Sequence, residues 1–335
     1  MFGTPVSQGT VHHTPHVTTN PDRLEIHPLT EDRVGAAAAL LADRHARHRA
    51  AESLLPDVRD FHAQVARELG RERASGVIAS RGGVAVAYLV GRVEADGGLG
   101  DTRAVVDLAG CAARAHEAEV VRDLYAALAG RWLAEGCRRH LALVPATDDA
   151  LVDAWFRLAF GLQFTTAVRE TVVEPPAPAE VTIRRGSPGD LPATAAFDRL
   201  LWTLQAEAPS FSGLDVEAED FTAEWRDTWD DPHAFPHFVA DREGRVVGHA
   251  LLYRRPTGDL RVPDDNIDLA HAATLEHVRG AGIGVALTEH VLHWAQRQGF
   301  RSMTTDWRSV NLLSSRFWPR RGFRPTFFRL YRSIP

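Results

Sequence analysis

The sequence contains no lysine, so all 38 of its non-histidine basic side chains are arginine. Any mechanism built on a lysine amine, as nucleophile or Schiff base, is excluded. Cysteine is nearly as scarce. Cys111 and Cys137 are the two present, which gives neither a disulfide framework nor a zinc spacing and suits a reducing cytoplasm. No apolar run reaches the roughly 18 residues that a membrane span needs, so no membrane partner is expected. Residues 1–20 are rich in Thr, His and Pro and lack the apolar core of a secretory signal. His12, His13 and His16 cluster there, but the composition is that of a disordered tail, and no metal site is expected. There is also no strongly basic block, and the net charge is −6. Both argue against nucleic-acid binding.

What is present describes an ordinary globular protein, 44% hydrophobic and 24% charged. At 335 residues, two domains are the default. Periodicity and turn signals give strands at 24–29, 76–80, 84–93, 102–109, 141–144 and 164–173, with helices at 36–49, 57–73, 117–133 and 149–160. Pro175, Pro176 and Pro178 then form a stiff connector. The second half repeats the order: strands at 181–185, 238–240, 246–253, 267–275, 302–306 and 326–332, and helices at 190–205, 217–229, 283–298 and 312–320. The shared order β-α-α-β-β-β-α-β-α-β points to an internal duplication. The expected organisation is a tail at 1–20, a first domain at 21–172, a linker at 173–180 and a second domain at 181–335.

The most informative stretch is Val278-Arg279-Gly280-Ala281-Gly282-Ile283-Gly284-Val285, between a strand and a helix. Alternate glycines strip side chains from the turn, so backbone N–H groups can converge on an anion in front of a helix dipole. Arg279 adds a fixed charge. Alone, such a turn is equally a ligand-free loop. A dinucleotide fingerprint would need a further glycine at Val285 or Leu287, and neither position supplies it.

Several separated features from Val181 to Ile334 resemble the Gcn5-related N-acetyltransferase (GNAT) family. Arg279, Gly282 and Gly284 satisfy its acyl-CoA motif (Arg/Gln)-x-x-Gly-x-(Gly/Ala). Asn311, Ser314, Phe317, Trp318, Gly322 and Phe323 fall in the register of its Asn-x-x-Ala-x-x-Leu-Tyr-x-x-x-Gly-Phe segment. The hairpin from Ala240 to Gly248 looks like its second and third strands. The resemblance implies two tandem α/β (α+β) domains, each a mixed, mostly antiparallel twisted sheet flanked by helices. It implies acetyl-CoA as co-substrate. The N–H groups of Gly280, Ala281, Gly282, Ile283, Gly284 and Val285 would hold the pyrophosphate, and Ala272 and Thr274 would lie along the pantetheine arm. Asn311 is either a contact to that arm or a helix N-cap. Trp318 replaces the family's thiolate-protonating tyrosine; its indole is too weak an acid for that role and could pack against the arm instead. Tyr253, Tyr331 or water remain as proton donors.

The implied reaction is direct acetyl transfer to the amine of a small molecule or peptide, which needs a base. Asp306, Asp268 and His271 are the candidates, with Glu276 nearby; each is equally an exposed strand-end residue. Cys111 to Glu119 occupies the place of the glycine turn in the first half, without glycines and with Glu117 and Glu119 to repel phosphate. That half is expected not to bind CoA but to wall the substrate cleft. Asp215, Glu217, Glu219, Asp220 and Glu224 would attract a cationic amine or simply form a solvated helix face, and Trp202, Trp225 and Trp229 would shape an apolar wall or belong to the core. The alternative to an enzyme is a non-catalytic acyl-CoA-binding or sensing protein. A cytoplasmic monomer or homodimer is expected.

Overall fold

The computed structural model describes residues 23–95, 102–174, 180–212 and 221–335. The tail, most of the proline-rich connector, the acidic residues from Asp215 to Asp220 and the side chain of Glu224 lie outside the described residues. The first half runs β1 (Leu24–Pro28), α1 (Val34–Ala51), α2 (Phe61–Leu69), β2 (Ala74–Arg81), β3 (Val84–Ala95), β4 (Thr102–Val106), β5 (Cys111–Ala113), α3 (Val120–Ala134), β6 (Arg139–Pro145), α4 (Asp149–Phe156) and β7 (Gly161–Glu170). The second runs β8 (Thr182–Arg185), α5 (Leu191–Ala206), α6 (Phe221–Asp230), β9 (His237–Arg242), β10 (Arg245–Tyr253), β11 (Asn266–Thr274), α7 (Ile283–Arg297), β12 (Ser302–Arg308), α8 (Ser314–Arg320) and β13 (Arg324–Ser333).

Local chemistry fixes most boundaries. Gly82 and Gly83, both at positive φ, turn the β2–β3 hairpin. The helix expected from residue 57 starts at Phe61, because the Asp60 carboxylate accepts from Ala63 N at 2.8 Å and caps it. The strand expected over 102–109 breaks after Val106 into a single helical turn and resumes as β5, which pairs only with β3.

The sheets of the two halves fuse into one, in the order β1-β2-β3-β4-β6-β13-β7-β12-β11-β10-β9-β8. All pairs are antiparallel except β4–β6 and β11–β12. The closing strands are exchanged: β7, from the first half, pairs with β12, while β13, from the second, pairs with β6. β7 and β13 then pair with each other and zip the halves together. Arg324 at the start of β13 fastens the exchange, donating to Glu170 on β7 and to Glu52 at the end of α1.

Helices cover both faces. α3 and α4 pack over the first-half strands around Leu124, Trp132 and Trp155, and α7 packs over the second-half strands around Leu287, Val291 and Met303. The opposite face carries α1 and α2, in a core that extends across the junction to Phe327 of β13 and Leu260 of the loop after β10. It also carries α5, which packs on β10 and β11 and against α6.

Candidate functional site

The glycine turn takes the conformation that its composition allows. Gly280 and Gly282 have φ of +85° and +78°, and open space surrounds the position that a Cβ would occupy at each. Glycine is needed there for the left-handed backbone, not for packing. Gly284 has ordinary helical geometry and would bring a Cβ into normal contact with Phe317. Gly282 is the N-cap of α7 and offers no side chain to it. The first N–H groups of α7 therefore face outward without a capping side chain, at the positive end of a 15-residue helix.

That helix end lies at the mouth of a cleft formed where two strands part. β11 and β12 pair in parallel from Asn266↔Ser302 to Leu269↔Thr305 and no further. Beyond that rung, β11 continues as far as Thr274, paired with β10 alone, so its other edge is open. A bulge in the β10–β11 register, which skips Ala270, bends β11 away. The next residue on each strand, Ala270 and Asp306, is solvent-exposed although both stand in mid-sheet. The cleft measures about 450 Å³. It is lined by Ala272, Thr274, Arg279, Gly280, Gly282, Ile283, Gly284, Val285, Asn311 and Trp318, all expected from the sequence; Ala281 stands in the same turn outside the lining. Leu200, Leu201 and Leu204 of α5 form the facing wall. Sequence reasoning missed those leucines, because their spacing reads as ordinary helix core.

Asn311 is not the N-cap of α8, which is Leu313. Asn311 lines the cleft, and its Oδ1 accepts from Leu313 N at 3.0 Å and Ser314 N at 3.2 Å, at the start of α8. Trp318 is 7% exposed and stacks edge-on against Phe317 and Phe323, so its indole forms a floor. No tyrosine lines the cleft.

The three candidate bases sit in different surroundings. Asp268 is 5% exposed and engaged: Arg255 Nη2 donates to it at 2.8 Å and Thr304 Oγ1 at 2.8 Å. His271 is 9% exposed and belongs to a buried group with His237, His249, Trp225 and Asp198 under α5 and α6. Its Nε2 lies 3.8 Å from Asp198 Oδ1. Burial, helped by His237, pushes His271 down to about 4, and burial raises Asp198, so the imidazole is neutral and the contact is no salt bridge. Asp306 stands apart from both. It reaches solvent at the point where the strands part, yet the surrounding protein desolvates its carboxyl and the Asp268 charge repels it. Both effects raise it above the ordinary carboxylate range; Arg255, Arg329 and Arg261 oppose them.

In the first half, the equivalent place is filled. Arg44 of α1, fully buried, donates to the carbonyls of Cys111 and, at 2.7 Å, Leu108; Arg47 donates to Ala113 O at 3.0 Å. Backbone carbonyls of this segment are thus satisfied by side chains of α1.

Among known proteins, residues 199–323 match the acetyltransferase (GNAT) family. No curated protein matches the sequence. Among solved structures, a GCN5-related N-acetyltransferase from Sphaerobacter thermophilus is similar at 17% identity and a TM-score of 0.58, over 93% of this chain and 96% of that one. A glucosamine N-acetyltransferase region of a fungal multi-domain beta-N-acetylglucosaminidase is similar at 15% identity and a TM-score of 0.55, over 93% of this chain and 38% of that one. At such identities these likenesses bear on the fold alone. Among the described residues, no helix is long and apolar enough to cross a membrane. The chain thus carries a match to the acetyltransferase (GNAT) family over residues 199–323, within a whole-chain fold similar to that of a GCN5-related N-acetyltransferase.

Proposed function

We propose that this protein is an acetyl-CoA-dependent N-acetyltransferase that moves an acetyl group directly to the amine of a small molecule or peptide. The match of residues 199–323 to the acetyltransferase family supports acyl transfer from an acyl-CoA to an amine in general. One observation carries the specific reading: the cleft runs from the uncapped glycine end of α7 along the open edge of β11 to Leu269 at the last β11–β12 rung, and Asp306, outside its lining, is exposed one residue beyond that rung on β12.

The residues present fit acetyl-CoA, which when bound supplies a thioester. The N–H groups from Gly280 to Val285 and the α7 dipole bind the pyrophosphate, and Arg279 adds charge. The open edge of β11 at Ala272 and Thr274 orients the pantetheine amides, and Leu200, Leu201, Leu204 and Trp318 exclude water from the arm. An acetyl-CoA held in this way would direct its thioester toward the parting of the strands, where Asp306 is exposed. The Asp306 carboxylate accepts the proton that the ammonium group must lose. The amine nitrogen then bonds to the acetyl carbon and gives up its second proton to solvent, the C–S bond breaks, and an N–H group of the β11 edge donates to the carbonyl oxygen as charge gathers there. Thiols have a pKa near 8.5, so the departing thiolate takes its proton from solvent without a tyrosine. The first half, its counterpart filled by Arg44 and Arg47, binds no CoA and serves as a wall.

Calorimetric titration with acetyl-CoA, followed by thiol release over a panel of amines, tests the reading. One bound equivalent and turnover are expected. Binding without turnover of any amine would instead identify a sensor, and no binding would sink both. Gly282→Glu should abolish binding, because its carboxylate would stand where the pyrophosphate binds; unchanged affinity would make the turn merely structural.

A further inference from the structure

The strand exchange places three residues in one cross-strand row at the middle of the sheet: Arg308 of β12, Phe164 of β7 and Arg329 of β13. Both guanidinium groups lie on the Phe164 ring, with Cζ 4.7 Å (Arg308) and 3.9 Å (Arg329) from its centroid. Neutral amides hold them there. Arg308 Nε donates to Gln205 Oε1 at 2.8 Å, and Arg329 Nε donates to Gln163 Oε1 at 2.9 Å. Among the described residues, neither arginine makes an ion pair. Two half-buried cations thus share one aromatic ring without a bound carboxylate. Burial lowers both, and the Arg308 charge helps bring Arg329 down to about 10. Such an arrangement is unfavourable unless an anion completes it.

The row lies next to the proposed chemistry. Asp306 precedes Arg308 by two residues on β12, so both point to the same face, about 7 Å apart along the strand. Asp306 is also the charge that acts on both arginines across that gap. A carboxylate that accepts an amine proton therefore stands beside a cationic pair with donors to spare. Guanidinium groups are suited to anionic oxygens, which they bind through paired N–H donors.

We infer, resting on the acetyl-transfer reading above, that the acceptor is an amine bearing an anionic oxygen group, carboxylate or phosphate, seated on Arg308 and Arg329 with its nitrogen at Asp306. Phe164 comes from the first half, so the acceptor site is shared between the halves and exists only because the strands are exchanged. The same cations disfavour polycationic acceptors.

The test compares thiol release with short amino acids, with the matching amines lacking the carboxylate, with aminoalkyl phosphates and with a polyamine. The anionic amines should show at least a tenfold higher kcat/KM, and the ratio between the two anionic series identifies the group. Arg308→Gln and Arg329→Gln should each raise KM for the anionic acceptors about tenfold or more and shrink that preference, with Arg329→Lys restoring part of it. Acetyl-CoA affinity, measured by calorimetry on the same variants, should stay at the wild-type value and shows that the fold is intact. Preference for neutral or polycationic amines, or a preference that neither substitution moves, overturns the inference. So does acetyl-CoA binding with no anionic amine acetylated. Failure of the wild type to bind acetyl-CoA overturns the donor reading itself and takes the inference with it.

Discussion

Asp306 occupies an unusual position for a charged residue, in mid-sheet yet wet, because the strands part beside it. Its raised pKa has a kinetic consequence of definite sign. As the proposed base, Asp306 must be ionised, so kcat/KM should fall as pH drops through a value above the ordinary carboxylate range. Asp306→Asn should lower kcat by about 10²–10⁴-fold and remove that acidic limb. An unchanged profile in the variant would assign the limb to another group. The buried histidines are shifted in the opposite direction and act on stability. Burial holds His237 and His271 near 4, against 6.5 for the free side chain. As pH falls from about 6.5 towards 4, the unfolded chain takes up protons that the folded chain refuses. Stability present above pH 6.5 is then lost, by on the order of a few kcal/mol. Urea midpoints at pH 7.5 and pH 5 measure this, and equal midpoints would show that the cluster opens to water.

At the scale of elements, the sequence exposes the donor half of the proposed site and conceals the proposed acceptor half. Glycines at 280, 282 and 284 announce a backbone geometry, and backbone geometry is local; the turn and the helix behind it are legible for that reason. Asn311 and Trp318 sit at fixed offsets from the same motif and fall beside it. The parting of β11 from β12 is less visible, since it arises from a bulge opposite β10 that no residue type advertises. Arg308, Phe164 and Arg329 could not be grouped from the chain at all. They come from three strands whose pairing partners are set by tertiary packing, and in a protein whose every cationic chain is arginine no single arginine stands out. The filled first-half site was half legible: the missing glycines show in the sequence, whereas Arg44 reaching from α1 into the strand carbonyls does not.

For the whole molecule, the exchange of β7 and β13 makes the halves one structure. Separated, residues 23–174 would present β6 without its neighbour, and residues 181–335 would present β12 without its own. Calorimetry of the full chain should therefore show a single unfolding transition, and fragments divided within 173–180 should fold only when mixed. Two well-separated transitions, or a first half that folds alone, would show that the shared sheet is not what couples them. Arg324 adds a local check, because Arg324→Ala frees Glu52 and Glu170 together and should lower the melting temperature of that one transition without splitting it.

The exchange also orders events during synthesis. The ribosome finishes β6 long before it reaches β13, and at about 5–20 residues per second the gap is on the order of ten seconds. Throughout that interval the nascent first half carries an unsatisfied, Leu- and Val-rich strand edge, the kind of edge that recruits other chains. The strand exchange thus leaves the nascent chain open to pairing with other chains until β13 is made.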